Sequence, residues 1–321
     1  MNIFQYLGLP ADHRKAAKTT QLVKHWDEVT DKNKAGKNFL VQVKKDGVCT
    51  IVLVKGGDVS IWSRTGKAFT NVSCLRDNIK KYNLPDGAYL GELTCNLFSL
   101  EILSGIVNPN RVNAIKPELL SSLKHFKFNV FDRVSIHEFM TGSSLTGFLD
   151  RYSKLREVIP YFRDAEHSGL TGIDLIQNHP ATSPEVIQGM LSHFILSGEE
   201  GIVIRDPDAG WEAGHKGYRV MKMVRGVDYD LQCIGYEEGS GKYTGKIANL
   251  IFGWKDGLTI KCMLGKGYTH AMAAQMFAEV DTDKSVVGSI FQVYALEESS
   301  KGKLRLPKVG ELRHDKGESD V

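Results

Sequence analysis

What the 321-residue chain has little of narrows its class first. Cysteine is scarce: five residues, at 49, 74, 95, 233 and 262, with no CxxC pair. So odd and scattered a set argues for reduced thiols and against a disulfide framework or a structural zinc. No apolar run approaches the length of a membrane span. The opening stretch MNIFQYLGLPADHRKAAKTT lacks a basic start followed by a long apolar segment, so nothing points to export. The expectation is a cytoplasmic protein with no membrane partner. An excess of charge of one sign is nearly absent too, at a net +3. That permits a nucleic-acid partner where lysines cluster, as in RKAAK (14–18) and KNKAGK (32–37), without demanding one. There is no internal repeat, no low-complexity linker and no clear oligomer seam, so the chain is expected to be a monomer.

Several catalytic signatures are missing as well. No Gly-x-Ser-x-Gly elbow appears, which removes the main sign of a serine hydrolase. His137-Glu138 is followed by Phe139, Met140 and Thr141, so the second histidine of a zinc-protease helix is absent. EGSGKYTGK (238–246) resembles a phosphate-binding loop, but Ser240 and Tyr236 stand where its first glycine belongs. It reads as a turn with exposed lysines.

What is present is 42% hydrophobic and 25% charged, the make-up of a globular protein of one large or two ordinary domains. Residues 12–29 are predicted as a helix starting near Asp12. Residues 38–65 alternate as two or three strands; further strands are expected at Tyr89–Thr94, 126–134, EEGIVIRD and RVMKMV. Residues 145–163 are predicted helical. The clearest helix is 182–197, with Thr182 or Ser183 as cap, Pro184 in its first turn, and Val186, Ile187, Met190, Leu191, Phe194 and Ile195 on one face. After Gly226 the texture changes to short strands between glycine-rich turns, with one helix near 269–279. Five short strands and one helix suggest a small barrel of the OB type rather than an extension of the first domain's sheets. The domains are expected to be 1–226 and 227–321.

At the start of VQVKKDGVCTIVLV (41–54), alternation puts Gln42 and Lys44 on one strand face with the preceding Leu40. Lys44 is thus a candidate pocket residue; the plainer reading is a solvated lysine beside an Asp-Gly hairpin turn. The company it keeps changes the balance. KKDG (44–47), SRTGK (63–67), LGEL (90–93), FNVFD (128–132), EEGIVIR (199–205), RVMKMVR (219–225) and RHDK (313–316) follow in order. They set several charges singly into apolar strands, which is costly without partners. A polyanionic ligand with a metal ion would satisfy lysines, arginines and carboxylates together.

This ordered set resembles the nucleotidyltransferase motifs of ATP-dependent polynucleotide ligases, most closely the small DNA ligases of bacteriophages. The likeness spans about residue 40 to the C-terminus. It implies an α+β fold: an adenylation domain of antiparallel sheets with flanking helices, followed by an OB-fold barrel. It implies that Lys44 is the nucleophile that becomes adenylated, and that Arg64 contacts nucleotide or the DNA end phosphate. Glu92 is implied to hold the ribose or assist the metal, Phe131 to stack on adenine, Glu200 to be the metal-linked carboxylate, and Lys222 to neutralise the α-phosphate. Gln42 and Val43 fall in the nucleotide pocket, and Arg313, Asp315 and Lys316 in the motif that orients the leaving pyrophosphate. The implied cofactors are ATP and Mg²⁺, with Mn²⁺ as a substitute. The implied partner is nicked duplex DNA carrying a 5′-phosphate and a 3′-hydroxyl, in replication, repair or recombination, in a bacterial host's cytoplasm if phage-encoded.

The chain departs from the family pattern at four places. Cys49 stands where an arginine is usual, Val224 where a second lysine is, Gln42 where many relatives have glutamate, and Arg205 where many have lysine. An ordinary lysine titrates near 10.4, so only about one in a few thousand is uncharged at pH 7. Lowering that by about three units is worth roughly 4 kcal/mol, and cations or burial can supply it. The rival readings are an RNA ligase or a GTP-using capping guanylyltransferase, and, from another class, a non-catalytic OB-fold nucleic-acid-binding protein.

Overall fold

The segments Phe39–Lys44 and Val48–Lys55 are both strands, as their β-branched content predicts. They do not form the hairpin that Asp46-Gly47 suggests, because each joins a different sheet. Residues 45–47 carry the chain from one sheet to the other. Gly47 is needed at this crossing: a Cβ there would lie 2.4 Å from the Leu93 carbonyl oxygen and 2.7 Å from Glu92 Cγ. Only glycine lets the backbone pass so close.

The computed structural model describes residues 1–321 apart from 16–17, 160–171, 266, 297 and 300–301. The chain divides into two units, Met1–Val224 and Arg225–Val321. In the first unit, one sheet has the order Leu22–His25, Lys216–Val224, Gly201–Arg205, Phe39–Lys44, His179–Ala181. A second has the order Asp58–Ser63, Val48–Lys55, Gly87–Thr94, Lys127–Val134, Ile173–Leu175, and Ser143–Ser144 pairs with Trp211–Glu212 in a small third one. The two larger sheets are mixed rather than purely antiparallel. Leu22–His25 runs parallel to Lys216–Val224, and Ile173–Leu175 parallel to Lys127–Val134.

Period-two alternation decides which face of each sheet is core. In the first sheet, Phe39, Val41, Ile202, Ile204 and Met221 form one buried cluster with Ile187 and Leu191. Those two residues come from the helix Pro184–Leu196, which Ser183 caps by accepting from the Val186 amide. The buried stripe is narrower than the expected face, since Val186 is 40% exposed. The opposite face of this sheet therefore carries Gln42, Lys44, Val203, Arg205 and Lys222. The second sheet is apolar on both sides: Val52 and Val54 belong to one cluster, Ile51 and Leu53 to another.

The helix expected over 12–29 is not found. Leu22–His25 is a strand and Trp26–Glu28 a short 3₁₀ turn, while 16–17 lie outside the described residues. The edge of Lys216–Val224 offers a row of backbone groups, and Leu22–His25 fills it; tertiary pairing outweighs a weak local helical preference. The helix expected over 145–163 is Phe148–Val158, with 160–163 outside the described residues.

In the second unit, the strands Val227–Glu238, Ile247–Gly253, Thr259–Leu264, Lys308–Leu312 and Ile290–Ala295 close into a barrel in that order. Leu231, Leu250, Phe252, Cys262, Phe291 and Val293 fill it. The helix His270–Ala278 lies between the third and fourth strands in sequence, capped by Thr269. This is the OB architecture. Residues 238–246 form the turn between the first two strands, with a 3₁₀ stretch at Gly241–Tyr243. Among the described residues no helix is long and apolar enough to cross a membrane.

Candidate active site

On the polar face of the first sheet, backbone register aligns Gln42, Val203 and Lys222 across three neighbouring strands. Two residues further along, Lys44 pairs with Gly201. Lys44 and Lys222 therefore point to the same side of the sheet. The Lys44 ammonium donates a hydrogen bond to the carboxylate of Glu200, which is only 6% exposed. Glu200 precedes a glycine that the backbone demands. Gly201 has φ +151°, and a Cβ there would lie 2.3 Å from the Met223 carbonyl oxygen. Any side chain at 201 would push away the strand that carries Lys222.

The second sheet supplies the facing wall. Cys49 pairs with Glu92, and Glu92 with Asn129. The pairing of Gly87–Thr94 with Lys127–Val134 slips between Leu90–Asp132 and Gly91–Val130. Phe131 is the extra residue of this bulge, and the bulge turns its half-buried ring into the cleft. A cleft of about 250 Å³ is lined by Gln42, Lys44, Arg64, Glu92, Phe131 and Lys222, with Val43 and Cys49 beside them. All the sequence-predicted residues of the nucleotide pocket are thus together, with Glu200 behind Lys44.

Burial dominates the electrostatics. Glu92 is pushed up to about 8 by burial, with Glu200 and Asp46 adding to the rise and Lys44 and Arg64 opposing it. Lys222 is held below the usual lysine range by burial and then by Lys44, with Glu200 acting against them. The Cys49 thiol is pushed up to about 12 by burial and by Glu92. Shifted acids and bases gathered in one cleft mark it as a candidate site for chemistry.

Beneath Phe131 lies a buried ionic chain. Arg205 Nε donates to Gln42 Oε1 at 2.7 Å, and Arg205 Nη1 is 3.7 Å from Asp132 Oδ2. Asp132 also receives two hydrogen bonds from Arg151, at 3.0 and 2.9 Å. The Arg205 guanidinium lies 4.8 Å from the Phe131 ring centre and 4.6 Å from that of Phe148. Burial pulls Arg205 down to about 10, against the pull of Asp132. The two departures Gln42 and Arg205 thus touch each other and brace the ring of the cleft.

Residues 19–223 match the family model for the ATP dependent DNA ligase domain, and residues 238–313 that for the DNA ligase OB-like domain. The chain belongs to the ATP-dependent DNA ligase family. A probable DNA ligase of Mycolicibacterium vanbaalenii is 35% identical over 98 residues, which are 30% of this chain and 18% of that relative. The chain thus matches under a fifth of that curated relative's length. Among solved structures, Pmar-Lig_PreS3 superposes with a TM-score of 0.75 at 20% identity, covering 92% of this chain and 68% of the other. The ATP-dependent DNA ligase from bacteriophage T7, in complex with ATP, gives 0.54 at 17% identity, covering 92% and 99%. At these identities the likeness is one of fold.

The RHDK stretch (313–316) lies in the second unit. Arg313 Nε and Nη2 bond Asp315, each at 2.9 Å, and Nη1 bonds Asp230 Oδ1 at 3.0 Å. Lys316 Nζ is 3.2 Å from Asp230 Oδ2. Sequence reasoning missed Asp230 and the stretch Thr20–Val23, which also lines the cleft. For Thr20–Val23, the only signal was a β-branched pair next to glutamine; for Asp230, an acid beside Leu231 at a buried position of a strand that also carries Asp228, Glu237 and Glu238.

Proposed function

We propose that the chain is an ATP-dependent DNA ligase that seals nicks in duplex DNA through lysyl-AMP on Lys44. The observation that supports this most is the placement of the Lys44 amine. It sits in a cleft walled by Phe131, Glu92 and Lys222, hydrogen-bonded to a buried carboxylate.

In the first step the Lys44 amine attacks the α-phosphorus of ATP. The N–P bond forms and the bond from phosphorus to the bridging oxygen breaks. One proton of the Lys44 ammonium passes to Glu200, which Lys44 already touches, to free the attacking amine; the second leaves with pyrophosphate, which departs with the electron pair. Phe131 stacks on the base, held from behind by Arg205. Arg64 and Lys222 neutralise charge that gathers on the α-phosphate. Arg313, Asp315 and Lys316 act on the departing pyrophosphate. The AMP then moves to the 5′-phosphate of a nick, the neighbouring 3′-hydroxyl attacks that phosphorus, and AMP leaves.

Glu92 and Glu200 would hold a magnesium ion together with substrate phosphates. Among the described residues there is no group of three or more acidic, histidine or cysteine side chains placed to hold a metal ion by themselves. Two carboxylates plus substrate oxygens fit magnesium, which seldom needs an all-protein cage. When bound, the ion supplies positive charge to the phosphates, and manganese can replace it. The protein acts as a monomer in the cytoplasm. Its DNA contacts fall mainly on backbone phosphates, so binding is sequence-independent and weakens with salt.

Incubation with α-labelled ATP or GTP in magnesium tests the reading. Label from ATP that chases into nicked DNA is expected. Label from GTP alone, or none from either, contradicts it.

A further inference from the structure

Asp230 lies on the first barrel strand, opposite Gln292, and is 7% exposed. Its backbone is fixed at both ends. Its amide donates to Asp320 Oδ2 at 2.7 Å, and its carbonyl accepts from the Asp320 amide at 2.8 Å. Each of its two carboxylate oxygens meets a different cation: Oδ1 takes Arg313 Nη1 at 3.0 Å, and Oδ2 takes Lys316 Nζ at 3.2 Å. One buried carboxylate thus sets the spacing of both cations of the RHDK motif.

The two cations are not equivalent. All three nitrogens of Arg313 are engaged, one by Asp230 and two by Asp315. These carboxylates hold its guanidinium firmly in the charged form, and its backbone amide is tied to the Ile290 carbonyl at 2.8 Å. A guanidinium forked on a carboxylate is a rigid strut. Lys316 has three donors and its side chain is 42% exposed, against 26% for Arg313. It keeps hydrogens for a new acceptor while Asp230 fixes where its ammonium sits.

We infer that Asp230 is a positioning residue for the pyrophosphate step: it braces Arg313 as a strut and aims Lys316, which makes the phosphate contact. This rests on the ligase reading above.

The test uses the full chain with Asp230→Asn. Three quantities are compared with wild type: the rate of self-adenylation from ATP, the KM for pyrophosphate in AMP release from the adenylated enzyme, and sealing of a pre-adenylated nick. The expected result is adenylation slowed about tenfold or more and pyrophosphate KM raised about tenfold, with pre-adenylated sealing within about twofold. A merely structural loss would lower all three together. An unchanged pyrophosphate KM, or an equal loss in sealing, overturns the inference. If wild type takes no label from ATP, the ligase reading itself fails. If wild type labels and Asp230→Asn matches it throughout, only this inference fails. Should Asp230→Asn not fold, Lys316→Gln and Arg313→Lys decide. The larger rise in pyrophosphate KM is expected in Lys316→Gln, and a larger rise in Arg313→Lys overturns the assignment.

Discussion

The Lys44 amine and the Glu200 carboxylate meet across two antiparallel strands, with Lys44 paired to Gly201, the residue after Glu200. The contact is built from backbone register, so neither side chain has to search for the other. Glu200 is buried, and its orientation is set by a glycine that tolerates no substitution.

Glu200→Gln is expected to leave the fold intact and to slow lysine adenylation by about 10²-fold or more, because the amide keeps the shape but loses the charge and the basicity. Single-turnover labelling with ATP measures the rate, and a thermal melt checks the fold. A labelling rate within about threefold of wild type would remove Glu200 from the chemistry.

The Gln42–Arg205 pair carries a second prediction. Arg205→Ala unpairs Gln42 and removes one cation from Asp132, which keeps Arg151. Breaking a buried pair of this kind costs about 3 kcal/mol. Gln42→Ala costs about 1–3 kcal/mol, because a buried donor is left without its acceptor. The double variant is expected to be less destabilised than the sum, by about 1 kcal/mol, as for residues in direct contact. Urea denaturation of the four proteins measures this, and strict additivity would separate the two residues.

Cys49 replaces an arginine that is usual in the family, and it lines the cleft. Burial first, then Glu92, pushes its thiol up to about 12. At pH 8 its thiolate fraction is then about one in ten thousand, against about a quarter for an unperturbed thiol, and it rises tenfold per pH unit. Iodoacetamide at pH 8 should modify the exposed Cys74 at least about a hundredfold faster than Cys49. Peptide mapping reads the two sites. Comparable rates would mean that the thiol meets water and no longer shares a closed wall with Glu92.

Much of this was legible in the sequence because the chemistry sits on strands. Period-two alternation put Gln42 and Lys44 on one face, single charges within apolar strands marked Glu92 and Lys222, and a carboxylate just before a β-branched strand marked Glu200. The turn-rich texture after Gly226 carried the barrel. What was not legible depended on pairing between distant segments. Asp46-Gly47 has the residues of a hairpin turn, yet the crossing between sheets is decided by the close approach of Gly47 to Leu93 and Glu92. Residues 12–29 read as a helix until Lys216–Val224 offers an edge for Leu22–His25. The bulge that re-aims Phe131 has no local signature, since it arises from a slip against Leu90 and Gly91. Asp230 acquires meaning only through Arg313 and Lys316, more than eighty residues away.

The central claim is that the Lys44 amine bonds to phosphorus. Intact mass after mixing the protein with ATP and magnesium, followed by peptide mapping, tests it most directly. The account predicts a gain of one AMP on the peptide containing Lys44, removed by pyrophosphate and absent in Lys44→Ala. An unchanged mass under those conditions, or an AMP on a peptide lacking Lys44, would contradict it.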